Sequence, residues 1–405
     1  MSAATACETQ IEDWAEQLQR APAEQGFLIL GGGTKAAMLP WSAANEAGIT
    51  DDTHGPVKAT TLPLQRIQTT NLRGIIEYRP AEFTITAYAG TPVSEVLAVL
   101  GEHGQYLPFE SPYHVPTGTT IDSAHRADLA SRSTIGGLVA SGIHGPGRLR
   151  HGGLRDFILE VRYIDGMGVV RRGGRRVVKN AAGFDIPKLM VGSCGRLGVM
   201  VDVTFKVFPR PRDYLTLHFM SEQLEATVEI ISTLLTHPWD LDAIEVQPEG
   251  SVLVRLSGHT DALVKHGQRI QSRLSKFYSS FLTGLQQHQA WSAYADGLWG
   301  QDDQCLVKVP LSLRRIFELD EVVEELEIQR AYGSGGNVAW LQWSKALESQ
   351  IARLKRLHKA MSESQMLGQV VQGPSHHAFC GAAPGRLFFE RLKTVFDPHG
   401  RLGMF

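Results

Sequence analysis

Cysteine is scarce in this sequence, and its spacing excludes several kinds of site. The 405 residues include four cysteines, Cys7, Cys194, Cys305 and Cys380, and no two of them form a Cys-x-x-Cys pair. Iron–sulfur and zinc sites need clusters of closely spaced ligands, so we expect no metal site within this chain. The pattern is typical of a reduced, cytosolic setting.

Long apolar runs and an excess of basic charge are missing as well. No stretch approaches the about 20 apolar residues that a membrane-spanning helix needs, so we expect no integral membrane protein. The N-terminus lacks the charged-then-apolar pattern of a signal peptide, and we expect no export. The formal net charge of −2 argues against a nucleic-acid binder. We expect a cytoplasmic protein, or one held at the inner face of the membrane through its partners.

Glycine, in contrast, is abundant and unevenly spread. The chain has 41 glycines, which are dense over 31–33 and again between 136 and 200. Glycine is costly in regular structure unless the backbone needs a positive φ or another group approaches closely. The distribution therefore indicates either a set of tight turns or a ligand that lies against backbone.

The apolar pattern predicts an α+β fold with more than one domain. A helix is predicted around Ile11 to Leu18, and a second helix begins near Pro92. Strands are predicted at 27–30, 75–78, 83–90, 156–165, 168–178 and 199–211. The pattern gives subdomains of about 1–105 and 106–211, with 113–133 as a surface insertion. From 212 onward glycine is rarer, and strands alternate with helices.

The first glycine loop, GGGTK at residues 31–35, follows a predicted strand. Backbone N–H groups in such a loop can form a nest that binds an anion. Its spacing differs from the Gly-x-Gly-x-x-Gly of dinucleotide-binding Rossmann folds and from the phosphate loop, because Lys35 comes too soon. A flexible turn at the end of a strand is the alternative interpretation.

Two further loops have a similar composition. STIGGLVASGIHGPG, at 133–147, puts small residues in a row, which predicts a groove floor for a flat ligand or a tightly packed helix. VGSCGRLG, at 191–198, follows a short helix that Asp185 caps. Three such loops that converge on one ligand indicate an extended dinucleotide between two subdomains, and tight turns are the other interpretation.

These loops, with LPFESP at 107–112, the run 177–211 and LKTVFDPHGRLG at 392–403, resemble the PCMH-type, or vanillyl-alcohol-oxidase-type, FAD-binding domain. Within it they resemble most the E subunits of bacterial glycolate oxidase. The resemblance implies a two-subdomain FAD-binding domain over 1–211 and an α+β cap domain over 212–391. The segment 392–405 then packs back on the FAD domain.

The resemblance also implies that loop amides hold the cofactor. We expect no covalent bond to the flavin, because Lys35 stands beside the first loop and no Cys lies near 130–145. Residues 31–35 would hold the pyrophosphate, the second loop would form a wall near the flavin, and the third would contact the adenine side. Some relatives attach flavin through His or Cys, and His144 and His151 are the candidates here, although a structural role is favoured. The implied FAD-binding residues are Gly31, Gly32, Gly33, Thr34, Lys35, Pro108, Thr134, Gly136, Gly137, Ala140, Ser141, Gly145, Gly195, Gly198 and Val199.

One departure from the related catalytic subunits concerns the chemistry. Those subunits carry an acid–Gly–Asn–hydrophobic–His motif in the C-terminal domain. Here SGGNVAW, at 334–340, has Gly335 at the acidic position and Ala339 at that of the His. Oxidation of a 2-hydroxy acid needs a base for the hydroxyl proton and a cation for the carboxylate. The sequence alone assigns no catalytic residue.

The implied function is that of a FAD-dependent oxidoreductase acting on CH–OH groups. As the FAD-binding subunit of a glycolate oxidase or dehydrogenase complex, the chain would convert glycolate to glyoxylate. Its partners would be a homologous flavoprotein subunit and an iron–sulfur subunit that takes the electrons. The alternatives are a structural or electron-relay subunit and a stand-alone FAD-linked oxidase. The basic stretch 171–176 and the insertion 113–133 are candidate contact surfaces, with a solvated hairpin tip as the other interpretation of 171–176.

Overall fold

The structure, a computed structural model, describes residues 3–22, 25–35, 38, 64–113, 124–175, 185–299, 304–344, 347–373 and 378–403. Helices and strands are mixed along the chain, and both large sheets are antiparallel, which confirms the α+β prediction. The division into domains and subdomains stays a prediction. The stretch from 176 to 184 and most of the predicted insertion lie outside the described residues.

The described helices vary from a single turn to five turns. The α-helices are α1 (Ala3–Arg20), α2 (Val93–Glu102), α3 (Ala124–Arg132), α4 (Ile135–Ser141), α5 (Arg148–His151), α6 (Leu154–Phe157), α7 (Ile186–Met190), α8 (Leu224–Thr236), α9 (Thr260–Arg273), α10 (Gly284–Trp299), α11 (Ile316–Glu325), α12 (Leu347–Glu363) and α13 (Arg386–Phe396). Short 3-10 helices occupy Thr69–Asn71, Pro80–Glu82 and Leu313–Arg315.

The strands before residue 212 form one five-stranded sheet and two small ones. The five-stranded sheet has the order β3-β4-β8-β6-β7. The parallel pair β1–β2 ends at the first glycine loop, and the third glycine loop leads into β8. These strands are β1 (Gly26–Leu30), β2 (Leu64–Gln68), β3 (Ile75–Arg79), β4 (Thr84–Tyr88), β5 (Gln105–Tyr106), β6 (Ile158–Ile164), β7 (Val170–Gly174), β8 (Val199–Lys206) and β9 (Phe208–Pro209), with β5 and β9 paired.

The strands after residue 212 form a nine-stranded antiparallel sheet. Its order is β13-β10-β12-β11-β15-β16-β14-β17-β18. The strands are β10 (Asp213–Phe219), β11 (Leu241–Val246), β12 (Val252–Gly258), β13 (Ser279–Leu282), β14 (Gln304–Pro310), β15 (Gln329–Gly333), β16 (Val338–Ser344), β17 (Leu367–Gln372) and β18 (Phe379–Gly381). Predicted strands at the start of this region are confirmed in β10, β11 and β12.

The nine-stranded sheet is buried on both faces, and the two faces differ. Side chains alternate between the faces of a strand. In β12, Val254 and Leu256 pack into the core beneath α8 and α9, whereas Leu253 belongs to a second core that faces the glycine loops. Arg255 follows that alternation onto the second face, which we call the inner face. The inner face thereby brings buried charge to the N-terminal half of the chain.

Two predictions about surface segments are wrong. The end of the expected insertion forms α3, whose Arg126 is fully buried and pairs with Asp296 of α10 at 2.7 Å. Residues 171–174 of the expected hairpin tip lie instead in the edge strand β7, within the strand predicted at 168–178, and Arg172 pairs with Glu160 at 2.7 Å. Buried or paired charges of this kind cannot be recognised from the local sequence pattern.

The C-terminal segment is joined to the start of the chain by buried polar contacts. Arg401 donates to the carbonyl oxygens of Leu18 and Ala21 at 2.6 Å, and its own carbonyl accepts from Phe27 N at 2.8 Å. The Asp397 carboxylate accepts from Lys393 Nζ at 2.6 Å and from two following amides. Asp397 therefore holds both a buried ammonium and the turn that carries Arg401.

We expect Asp397→Asn to lower the stability strongly, because it leaves the Lys393 ammonium buried without its counter-charge. Breaking a buried pair costs about 3–5 kcal/mol. The measurement is the midpoint of urea unfolding. Glu390→Gln is the matched control, since Glu390 and Arg386 form an exposed pair at 2.8 Å, worth less than about 1 kcal/mol. Equal midpoints for the two variants would contradict this role of Asp397.

Candidate functional site

Three glycine-containing segments converge on one cavity of about 720 Å³, which we call the glycine cavity. The end of β1 and its loop form one wall, α4 forms a second, and the loop before β8 forms a third. Its lining residues are Ile29, Leu30, Gly31, Gly32, Gly33, Thr34, Lys35, Met38, Thr69, Ala89, Thr134, Gly136, Gly137, Ala140, Ser141, Cys194, Gly195, Gly198 and Met200.

Close approach between the walls explains several of these glycines. A Cβ on Gly32 would lie 1.7 Å from the carbonyl oxygen of Arg132, which backbone cannot accommodate. A Cβ on Gly136 would lie 2.8 Å from Cβ of Ala89. The protein's own packing thus requires glycine here, and that packing creates the cavity.

The third loop needs its glycines for a different reason. Gly192, Gly195 and Gly198 have φ values of 82°, 78° and 157°, a region that other L-residues adopt at a cost. The interpretation as tight turns is therefore confirmed for this loop. Gly195 and Gly198 nevertheless also line the glycine cavity, so the two interpretations of the sequence do not exclude each other.

The first loop has the character of an anion site. The carbonyl oxygens of Gly31 and Gly32 accept from Gln68 Nε2 at 2.8 Å and Arg132 Nη1 at 2.9 Å. Within the described part of the chain, the amide N–H groups of Gly32 and Gly33 have no acceptor. These donors lie where a phosphate oxygen could replace water.

Lys35 adds a positive charge to the same loop. Its side chain is buried, donates to Thr34 Oγ1 at 3.0 Å and lies over the Tyr113 ring at 5.0 Å. No carboxylate of the described residues pairs with Lys35. Burial lowers the pKa of Lys35 to about 8, because a charged amine without a counter-ion is poorly solvated there. A bound pyrophosphate would supply that counter-ion, so the residues present fit the phosphates of FAD.

All but three of the predicted FAD-binding residues line the glycine cavity. Pro108 packs behind Gly147, Gly145 lines a second cavity, and Val199 is buried in β8. Ile29, Leu30, Met38, Thr69, Ala89, Cys194 and Met200 line the cavity but were not predicted from the sequence. Their only signal is proximity to the glycine loops. The assignment of each residue to FAD stays a prediction.

The hydroxyl groups of the second loop are already bonded within α4. Thr134 Oγ1 accepts from Gly137 N at 3.2 Å and caps the helix, and Ser141 Oγ donates to Leu138 O at 3.0 Å. His144 Nε2 accepts from Arg148 Nη1 at 2.7 Å, and His151 Nε2 contacts the Tyr106 hydroxyl at 3.2 Å. Neither histidine lines the glycine cavity, whereas Cys194 does.

A second cavity of about 550 Å³ lies beside the first, between the loop after α4 and the inner face of the nine-stranded sheet. Ser141 lines the glycine cavity, and His144, three residues later, lines this one. We call it the aromatic cavity. Its lining residues are Pro112, His144, Gly145, Pro146, Glu245, Arg255, Trp291, Tyr294, Ala295, Leu298, Trp299, Gly333, Ser334, Val338 and Trp340.

Glu245 is a fully buried carboxyl group in the wall of the aromatic cavity. Its Oε2 accepts from the Tyr294 hydroxyl at 2.5 Å, and its Oε1 accepts from Ser334 N at 3.0 Å. A Cβ on Gly333 would lie 2.6 Å from Oε2, so this turn also needs glycine. Burial raises the pKa of Glu245 to about 7, although both hydrogen bonds oppose the shift.

The other titratable groups of this wall do not change their protonation state near neutral pH. Burial lowers the pKa of His144 well below its usual value, and the nearby Lys308 and Arg148 lower it further. Burial raises the pKa of Tyr294 well above its usual value. Among the described lining residues, Glu245 is therefore the group that can gain or lose a proton at physiological pH.

Arg255 is a fully buried cation in the same wall. Its Nη2 donates to Glu110 at 2.5 Å and its Nε to Asp242 at 2.5 Å. The guanidinium stacks over the Trp291 ring at 4.9 Å. Its Nη1 has no hydrogen-bond partner among the described residues. A buried donor left without a partner is costly and marks a place where a ligand acceptor fits.

The motif that departs from the related catalytic subunits lies at this cavity. Val338 and Trp340 line it. Ala339 points to the opposite face of β16 and packs in the core beneath α8 and α9, which we call the outer core. In this structure, position 339 therefore does not face the aromatic cavity. The titratable group of the wall comes from Glu245 in β11, and the turn 333–334 supports it.

One relative is similar to this chain over most of the length of both proteins, which shows the family of the chain. The chain is 38% identical over 333 residues to glycolate oxidase subunit GlcE from Escherichia coli (strain K12), which covers 81% of this chain and 83% of the relative. The chain belongs to the family of glycolate oxidase subunit GlcE. The resemblance seen in the sequence is confirmed.

Other similarities are shorter or purely structural. Glycolate oxidase subunit GlcD from Bacillus subtilis (strain 168) is 31% identical over 165 residues, which is 41% of this chain and 32% of the relative. A solved structure of alkyldihydroxyacetonephosphate synthase covers 97% of this chain and 75% of its own, with a TM-score of 0.66 and 14% sequence identity. At that identity the likeness shows the fold alone.

The family profile of the FAD binding domain matches residues 122–174, which include α3, α4 and β6. FAD is therefore the cofactor, and this member of the GlcE family is a FAD-dependent oxidoreductase. Among the described residues, each helix is too short or too polar to span a bilayer.

We expect Gly32→Ala to weaken FAD binding by about tenfold or more, because its Cβ displaces the first loop from the Arg132 carbonyl. The measurement is a titration of cofactor-free protein with FAD, followed by flavin fluorescence. Gly101→Ala is the control, since no atom lies within 4 Å of its Cβ in α2. Wild-type affinity in Gly32→Ala would contradict the role of this loop.

Proposed function

We propose that this chain is the FAD-binding subunit of a complex that oxidises glycolate to glyoxylate. The observation that carries the proposal is the position of two cavities on either side of one loop, 141–145. The glycine cavity fits a dinucleotide, and the aromatic cavity offers a cation and a proton acceptor for a small hydroxy acid. The similarity to GlcE, a glycolate oxidase subunit, supports the substrate.

The proposed binding mode for FAD is non-covalent. The amides of 31–33 and the Lys35 ammonium would hold the pyrophosphate, and the small residues of α4 would lie against the flavin side. FAD supplies the oxidant, since it accepts the two electrons that leave with the C2 hydrogen of a hydroxy acid. The protein's task is to exclude water, to orient the hydroxy acid and to take its hydroxyl proton.

The proposed electron acceptor is an iron–sulfur subunit, and a homologous flavoprotein subunit completes the complex. All four cysteines of this chain are free and buried, and the described residues include no group of three or more His, Cys, Asp or Glu that could hold a metal ion. Glycolate oxidase subunit GlcD, to which part of this chain is similar, supports the homologous partner. We place the complex in the cytoplasm or at the inner face of the membrane.

An electron-relay subunit is the second candidate. Gly335 and Ala339 in place of the acid and the His favour it, because the base of the related subunits is then missing. The presence of Glu245 in the aromatic cavity favours catalysis. The two candidates differ in whether glycolate reduces the flavin of this chain without partners.

The purified chain is expected to show a flavin absorbance spectrum, and acid precipitation should leave the colour in the supernatant. That result establishes bound, non-covalent FAD. Colour in the pellet would contradict the non-covalent mode and would make Cys194, which lines the glycine cavity, the candidate for the link. A colourless protein that takes up no added FAD would contradict the proposal.

Under anaerobic conditions, glycolate is expected to bleach the flavin band of the isolated chain near 450 nm, about the usual position for oxidised flavin. Acetate, which lacks the hydroxyl group, is the control and should leave the band unchanged. Bleaching only after the partner subunits are added would favour the electron-relay subunit and would contradict catalysis by this chain alone.

A further inference from the structure

We propose that the aromatic cavity binds a 2-hydroxy acid with its carboxylate on Nη1 of Arg255 and its hydroxyl group on Glu245, which takes the hydroxyl proton. The inference deepens the proposed function and rests on it. It assigns both the base and the cation that the sequence alone did not show. Atoms and electrons balance, because the proton goes to Glu245 while the C2 hydrogen leaves with two electrons to FAD.

The cation is the Arg255 guanidinium, and two of its three nitrogens are already paired with carboxylates. Nε and Nη2 of Arg255 bind Asp242 and Glu110, and these bonds fix the plane of the group. Nη1 alone lacks a partner among the described residues, although the side chain is fully buried and lines the cavity. A carboxylate oxygen would satisfy this donor with a charge-assisted hydrogen bond.

The base comes from the neighbouring strand β11. Both Glu245 oxygens accept hydrogen bonds from the protein, so the group is held in one orientation. Each oxygen keeps a further acceptor position for a ligand hydroxyl. Tyr294 is a positioning residue, since its hydroxyl contacts Glu245 and its ring forms part of the cavity wall.

The remaining walls favour a small ligand with an apolar body. The side chains of Trp291, Trp299 and Trp340 surround the polar pair, and Trp299 and Trp340 contact edge to face at 5.5 Å. Such walls exclude water, which strengthens the two polar contacts. Among the described lining residues Arg255 is the cation, so a monocarboxylate fits better than a dicarboxylate.

The charge state of the cavity depends on Glu245 and its neighbours. Below pH 7 Glu245 is largely neutral, and above pH 7 it is ionised and accepts a hydroxyl hydrogen bond more strongly. Ionisation also repels every carboxylate ligand, with or without a hydroxyl. The ratio of the affinities for a hydroxy acid and its deoxy analogue cancels this repulsion. Its change with pH therefore reports the hydrogen bond to Glu245 alone. The charged and titratable groups around Glu245 are Tyr294, Arg255, Glu110 and His144.

The test uses a ligand pair that the enzyme cannot oxidise. 2-Hydroxyisobutyrate has the carboxylate and the hydroxyl but no C2 hydrogen, and isobutyrate lacks the hydroxyl. Calorimetric titration of the FAD-loaded chain should show about tenfold tighter binding of 2-hydroxyisobutyrate at pH 8 and a smaller preference at pH 6. 2-Hydroxyisobutyramide, which lacks the negative charge, should bind at least about tenfold more weakly than the acid.

Variants separate the role of Glu245 from a structural one. Glu245→Gln should keep the flavin spectrum and the melting temperature, lose the pH dependence of the hydroxyl preference and lower the rate of flavin bleaching by about a hundredfold or more. Tyr294→Phe removes a hydrogen bond that lowers the pKa of Glu245, so the pH at which the preference rises should move upward. Glu222→Gln, at an exposed position, is the control.

The outcomes distinguish this inference from the proposed function. The inference is overturned if the hydroxyl preference does not change with pH, or if it is unchanged in Glu245→Gln. It is also overturned if the amide binds as well as the acid. If the acid binds as described but glycolate does not bleach the flavin, the binding site stands and glycolate oxidation by this chain alone is wrong. If glycolate bleaches the flavin equally fast in Glu245→Gln, the function stands and Glu245 is not the base.

Discussion

The buried guanidinium of Arg255 is the contact on which the arrangement of the two halves depends. It lies between Asp242, in the neighbouring strand, and Glu110, in the loop after β5. Removing three charged groups from water is tolerated only where each is paired, so this cluster specifies one alignment of the inner face against the glycine loops. Glu110 also accepts from Gly147 N at 2.9 Å, which extends the constraint to the loop after α4.

Close approach of backbone explains why glycines, and not charged motifs, were the strongest signal in the sequence. Gly32 contacts the end of α3, and Gly136 contacts the chain after β4. The same separation that excludes a side chain leaves amide donors exposed to the cavity between the loops. A dinucleotide site without a Rossmann helix can therefore be built from turns that the protein requires for its own packing.

The sequence predicts the glycine cavity well and the aromatic cavity poorly. Glycine loops are local signals, and most of the residues that the resemblance implies at these loops line one cavity. Glu245 and Arg255 give a weaker signal, a single charge within an otherwise apolar strand, as in AIEV and VLVRLS. Such a charge is costly to bury, and only the sheet order, with β12 beside β11, shows that the two groups meet. Arg126 gives the opposite case. Its polar sequence neighbours predicted an exposed position, whereas the side chain is fully buried.

The alternation of side chains in the nine-stranded sheet also bears on the motif at 334–340, which lacks the acid and the His of the related catalytic subunits. It bears on whether their absence means that the chain has no catalytic base. Ala339 packs in the outer core, where a histidine would have no access to the aromatic cavity in this register. The turn before β16 instead donates from Ser334 to Glu245. In the proposed site, FAD and the proton acceptor would lie on opposite sides of the loop 141–145. Such a site would require the inner face and the glycine loops to stay packed together, so the contacts of Arg255 would serve the proposed chemistry as well as the fold.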